Sequence, residues 1–305
     1  MTTANPVRSW LPAYLVLSLI WGNSFVFIMV GLESLTPAGV VFSRLFLGMV
    51  TMLIVSVVMR SPLPGRQYWK PLFIAAFPMS AGGWILFAFS EQYISSALAG
   101  IINGATPLAT LAAILVAFPE EKPTRQRVVG LGLGFIGVLV VVGVWQGLGA
   151  ATWIGIAACV LAVTGYGVSY PYVRRHLATG RPDALPPLTL ATGVMIMGTI
   201  QSVPFVLIWG YAHDPITVPV AGAMISLGIL GSGIAYILNF RVISRSDATT
   251  ASTVTFVITI VAVISGAVFL GEDITWNQPV GALVVITGAS IAQGLLRLPR
   301  FARSR

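Results

Sequence analysis

Arg44 stands inside a run of apolar residues, from Ala38 to Met59, where no other charge is present. An arginine at the centre of a bilayer costs about 2.5–3.5 kcal/mol even on the milder scale, so it needs a partner or a way to water. Six residues from Ala38 at the helical rise put its Cα about 9 Å inside the run. Glu91, about three residues from the end of its own run, lies at similar depth. One reading is therefore structural, with Arg44 snorkelling outward or paired with Glu91. The other is chemical: a guanidinium offers a carboxylate or phosphate of a solute two parallel hydrogen bonds.

Other polar and aromatic residues recur at helical spacing. Asn103, Thr106, Pro107 and Thr110 share one face, as do Trp84, Phe87 and Glu91. Ser232, Tyr236 and Asn239 form a third stripe, and Ser252, Thr255 and Thr259 a fourth. A polar stripe in hydrocarbon must face protein or water, although any one Ser or Thr is ordinarily an interhelical contact. Several stripes together, with Trp21, Trp84, Tyr166 and Tyr170 at middle depth, predict a cavity with aromatic walls. The middles of the runs hold no Asp, Glu, His or Lys, so no metal-ligand cluster or acid/base pair is expected there. No phosphate-cradling glycine loop is present, and no cofactor is expected. His176 and His213 read as solvated loop residues, and the lone Cys159 as packing.

The elements that position these residues follow from composition. The 305 residues are 56% hydrophobic and 9% charged, against roughly 25% charged in soluble domains, which excludes a water-exposed globule. Ten runs are long enough for a bilayer core of about 30 Å. They extend from Leu11 to Leu32, Ala38 to Met59, Leu72 to Ile94, Ala97 to Phe118, Val128 to Trp145, Thr152 to Val173, Leu188 to Trp209, Val218 to Leu238, Ala248 to Leu270 and Val280 to Leu296. The first is long enough to span and has no small-residue cleavage site after it, so it reads as a retained helix. With both termini cytoplasmic, every one of the 17 Lys and Arg residues except Arg44 falls on the cytoplasmic side. The formal charge of +8 thus reports topology, and no nucleic-acid partner is expected.

Two internal overlays divide the chain. At an offset of 151, Ala97 to Gly137 overlays Ala248 to Gly288 with seven identities, among them Glu121/Glu272, Thr124/Thr275 and Gly130/Gly281. Roughly four would match by chance in so biased a composition, so the shared placement after a run carries more weight than the count. At an offset of 145, Trp21-Gly22-Asn23-Ser24-Phe25 overlays Tyr166-Gly167-Val168-Ser169-Tyr170, which brings Asn23 and Ser169 into the candidate site. Repeats of five spans, over residues 11–145 and 152–297, must insert in opposite orientations, an arrangement that lets one site face either side in turn. Gly100 with Gly104, and Gly130, Gly132, Gly134 and Gly137, mark faces for close helix packing, in the monomer by preference over a dimer.

WGNSF at Trp21 to Phe25, SRLFLG at Ser43 to Gly48, Pro107 followed by PEEKPT at Pro119 to Thr124, and GEDIT at Gly271 to Thr275 resemble the EamA-like members of the drug/metabolite transporter superfamily. The resemblance runs from about residue 11 to 297. It implies ten transmembrane helices in two inverted five-helix repeats, a central cavity, alternating access and outward transport. Two departures stand out: Ile258 replaces a proline partner for Pro107, and Pro119-Glu120-Glu121 stands where Gly-Glu is usual.

The expected function is a secondary transporter of a small organic metabolite such as an amino acid, in the plasma membrane. Its expected partners are that solute and the lipid bilayer. The expected substrate-binding residues are Trp21, Asn23, Arg44, Trp84, Asn103, Tyr166, Ser169, Tyr236 and Thr255, with Glu91 as charge partner or coupling residue. The rivals are a membrane-embedded enzyme acting on lipid-linked substrates, which would need an acid or base, and a passive channel.

Overall fold

The computed structural model describes residues 7–117, 124–146, 149–177, 184–245 and 254–296. Glu121, Ser252 and most of the PEEKPT motif fall outside them. The described chain is helical, because an apolar run has no side-chain partners for its backbone groups and must satisfy them internally. Eight apolar helical segments of 21 to 25 residues are long enough to cross a bilayer. They are α1 (Leu11–Leu32), α2 (Pro37–Val58), α3 (Arg66–Ser90), α4 (Ser96–Val116), α5 (Arg125–Gln146), α6 (Ala150–Val173), α7 (Pro187–Trp209) and α8 (Val218–Asn239). Two shorter apolar helices follow, α9 (Val254–Leu270) and α10 (Asn277–Ala292). Side chains such as Val57, Leu207, Ile208 and Phe269 point outward, as a lipid-facing surface requires. This is a multi-pass membrane protein.

Four of the segments are irregular. α1 is interrupted at Asn23, between helical pieces Val7–Gly22 and Ser24–Leu32. α4 breaks after Asn103 and resumes at Thr106, one residue earlier than the proline that loosens it. Pro107 then sits in the first turn of the new piece, where its missing N–H leaves no bond unmade. In α3 a π-helical turn spans Phe77–Ala81, and the N–H of Gly82 reaches back to Phe77 O. In α8 a longer one spans Ser226–Ile234, with the Ala235 N–H bonded to Leu230 O. Such turns frequently mark functional positions.

The helices pair in a regular pattern. α1 lies against α8 and α9, while α6 lies against α3 and α4; α2 packs on α7 and α8, and α7 on α2 and α3. α4 packs on α9, and α5 on α10. Moving each member by five positions maps this set of pairings onto itself. The glycines expected to permit close approach do so within the chain. A Cβ on Gly130 or Gly137 would strike the backbone of α10, and one on Gly281 or Gly288 the backbone of α5. Gly132 faces open space and takes no part, while Gly100 and Gly104 admit Ala262 and Thr259 of α9.

Helix ends are capped as their sequences dictate. Thr36, Ser95, Thr124 and Thr217 each accept a hydrogen bond from the N–H three residues on. Gly143, at φ 65°, ends the regular part of α5 in the left-handed conformation that a Cβ would strain. α4 has a further cap from far along the chain. The Glu272 carboxylate accepts from the N–H groups of Ser96 at 2.7 Å and Ala97 at 2.9 Å, satisfying donors that the start of a helix leaves free.

Candidate functional site

A cavity of about 140 Å³ lies among seven segments drawn from both halves of the chain. At about 10–15 Å³ for each water, it has space on the order of ten waters or one compact solute. α1 contributes Trp21, Ser24, Phe25 and Ile28; α2 contributes Arg44; α3 contributes Met79, Trp84 and Phe87. Asn103 and Thr106 come from the break in α4, Tyr166 from α6, Tyr236 from α8, and Thr255 and Ile258 from α9. The broken helices and the π turns lie beside this cavity, where irregular backbone is tolerated in a membrane protein.

Arg44 is the cation of the cavity wall. It is 8% exposed, and its Nε–H donates to Ser232 Oγ at 3.3 Å. Its Cζ lies 3.8 Å from the centroid of the Trp84 ring, a cation–π contact worth about 2 kcal/mol when desolvated. Among the described residues no ion pair joins Arg44 to Glu91, and neither Glu91 carboxylate oxygen has a hydrogen-bond partner. The pairing allowed by equal depth is therefore not formed. The rotation of α2 about its own axis points Arg44 to Trp84 and the π turn of α8.

Ring contacts and a hydrogen bond from Trp21 hold the aromatic wall. Trp21 meets Tyr236 edge to face at 6.0 Å, and its Nε1–H donates to Gly231 O at 2.9 Å. Phe87 packs against Phe25 at 5.8 Å and Tyr166 at 5.7 Å. The Thr106 hydroxyl donates to Asn103 O at 2.7 Å across the α4 break. Arg44 supplies directional donors and a positive charge, and the rings supply an apolar surface.

The structure thus brings together Trp21, Arg44, Trp84, Asn103, Tyr166, Tyr236 and Thr255 of the expected residues. Asn23 and Ser169 are not on the cavity wall. Asn23 Nδ2 donates to Leu19 O at 2.8 Å, and Ser169 Oγ donates to Gly165 O at 2.7 Å, each one turn back on its own helix. Glu91 belongs to the same helical stripe as Trp84 and Phe87 but is buried, 3% exposed, and is not on the cavity wall. Lining residues that the stripes and the expected site did not include are Ser24, Phe25, Ile28, Met79 and Ile258. The first three follow Trp21 at helical spacing, a signal present in the sequence. Met79 is exposed to the cavity by the π turn at Pro78, which side-chain periodicity does not reveal.

A sequence profile of the EamA-like transporter family matches residues 8–143 and again residues 153–292. The chain belongs to this family. Among curated relatives of this EamA-like transporter, an uncharacterized transporter of Archaeoglobus fulgidus is 24% identical over 288 residues, covering 93% of this chain and 98% of that one. The uncharacterized transporter YoaV of Bacillus subtilis is 22% identical, covering 89% and 92%. A protein of Streptantibioticus cattleyicolor named "Probable terminal-alkyne amino-acid exporter" is 24% identical, covering 91% of each. A crystal structure with 16% identity superimposes with a TM-score of 0.64 over 94% of this chain and 97% of that chain, a likeness of fold.

Proposed function

We propose that this EamA-like transporter carries a small amphipathic organic solute, such as an amino acid, outward by alternating access through the central cavity. The observation that carries the reading is the composition of that cavity: one arginine laid over Trp84, ringed by Trp21, Tyr166 and Tyr236, between helices of both halves. A charged, hydrogen-bonding spot beside aromatic rings suits a molecule with a carboxylate at one end and an apolar body. The exporter name of the S. cattleyicolor relative supports the direction and the class of solute.

α9 and α10 complete ten spans in this reading, and the five-helix halves are inverted copies. The helix pairings that survive a shift of five positions support it, as do the π turns in α3 and α8, which occupy corresponding places in the two halves. The cycle exchanges the conformations of the halves around a fixed site. The plasma membrane with cytoplasmic termini follows from the distribution of Lys and Arg. An impermeant thiol reagent outside intact cells should label a cysteine placed at Trp153 and spare one placed at Arg125; the opposite pattern rejects this orientation.

Counterflow in proteoliposomes tests the transport itself. Vesicles loaded with unlabelled L-amino acids should transiently concentrate the matching labelled one, which a channel does not do. Saturable counterflow for no member of a panel of amino acids and monocarboxylates would sink the substrate class.

A further inference from the structure

Glu91 caps the end of α3, is 3% exposed, and has neither carboxylate oxygen bonded. A carboxylate in that position without a donor is unfavourable, so something absent from the protein's own hydrogen bonding must complete it. The ionisable groups that face it are Arg44 from α2, Cys159 from α6 and Glu272 from the α9–α10 connection. None supplies a bond. Arg44 is committed to Ser232 and Trp84, and the Cys159 thiol is directed at Ala99 O at 3.8 Å. Glu272 is a second carboxylate, with both oxygens already occupied by the start of α4.

The simplest group that completes the carboxylate is a proton, because it removes the buried charge itself. A metal ion would require several oxygens around it. The uncommitted side-chain oxygens among the described residues here are those of Glu91 and the buried hydroxyl of Ser96, at the α4 terminus that Glu272 holds. Glu91 is also absent from the cavity wall. A proton needs neither volume nor a coordination shell.

We propose that Glu91 is a proton-binding site whose occupancy is coupled to an anionic solute at Arg44; the solute half rests on the transport reading above. The proton comes from the aqueous phase and forms an O–H bond on one Glu91 oxygen. In the oppositely facing conformation that bond breaks and the proton returns to water. With Glu91 neutral, the charge of Arg44 is uncompensated and an anion in the cavity balances it. With Glu91 ionised, Arg44 and Glu91 balance each other and the anion is disfavoured. The loaded and empty sites then carry the same net charge, and solute and proton move together as the neutral acid along the solute's own gradient.

Infrared difference spectroscopy of the full chain in lipid vesicles tests the proton site without any solute. In the acid-minus-alkaline difference spectrum the wild type should show the C=O stretch of a buried protonated carboxyl, shifted in D2O. Glu91→Gln should lose that band and Glu272→Gln should keep it. The wild-type measurement requires no variant, and absence of the band overturns the proposal, as does its persistence in a folded Glu91→Gln protein.

Benzoate, titrated by the intrinsic fluorescence of the cavity tryptophans, tests the coupling. Its affinity for the wild type should fall by about fivefold or more between acidic and alkaline buffer, the lower end of ordinary coupling between sites. In Glu91→Gln it should stay at the acidic value. An unchanged pH dependence in that variant rejects the coupling. Failure of benzoate to bind at any pH rejects the anion half, the counterflow panel decides the substrate class, and the infrared band decides the proton site by itself.

Discussion

The π turns of α3 and α8 occupy corresponding places in the two halves, yet they are built and held differently. The one in α3 is short and contains Pro78, and the helical turn that leads into it is bonded to α7 by Gln201, whose Nε2 donates to Phe73 O at 2.6 Å. The one in α8 contains Gly228, Gly231 and Gly233 and no proline. Its ties come from the cavity: Trp21 donates to Gly231 O, and Arg44 to Ser232 Oγ. One irregular turn is therefore anchored by a helix behind it, the other by the side chains that would meet a solute. In α8 a change in the cavity acts on the irregular segment through these two hydrogen bonds.

The glycines of the α8 turn are also its contact with α2. A Cβ on Gly228 would strike Leu47, and one on Gly233 would strike Thr51. Gly228→Leu should have the largest effect, about 1–3 kcal/mol of lost stability from overpacking, read by thermal melting in detergent. Gly222→Ala on the same helix faces open space and is the control. Equal melting temperatures for Gly228→Leu and the wild type would remove the idea that α8 is pressed onto α2.

The two ties form a matched pair of smaller effects. Trp21→Phe keeps an aromatic ring but deletes the donor to Gly231 O, a bond worth about 1 kcal/mol, so counterflow should slow about fivefold with little change in melting. Gln201→Leu deletes the donor to Phe73 O, but it also removes a buried Oε1 that has no partner, so the losses and gains offset within about 1 kcal/mol. Its counterflow should match the wild type. If Gln201→Leu slows transport more than Trp21→Phe does, the α3 turn is the sensitive one and the comparison is reversed.

Much of the cavity was legible in the sequence because helical spacing places polar and aromatic residues on common faces. Trp84, Asn103, Tyr236 and Thr255 were found in that way, and all line the cavity. The motif overlay was less discriminating. It selected Asn23 and Ser169, whose short side chains bond back to the preceding helical turn instead of facing inward. Glu272 reads as a loop acid in sequence, and nothing local shows that it caps a helix 176 positions earlier.

By itself the sequence determined that the chain is helical and apolar enough for a bilayer, because long uncharged runs must satisfy their own backbone groups. It also set the depth of each polar residue, since depth is a count of residues along a helix axis. Which way a residue faces at that depth was decided only by tertiary packing. Arg44 and Glu91 share a level, yet they do not pair, because the rotation of α2 against α8 carries the guanidinium to Ser232 and Trp84. Trp21 and Gly231, 210 positions apart, meet for the same reason. Rotation about a helix axis leaves every local spacing unchanged, so it is settled by the contacts among all the helices.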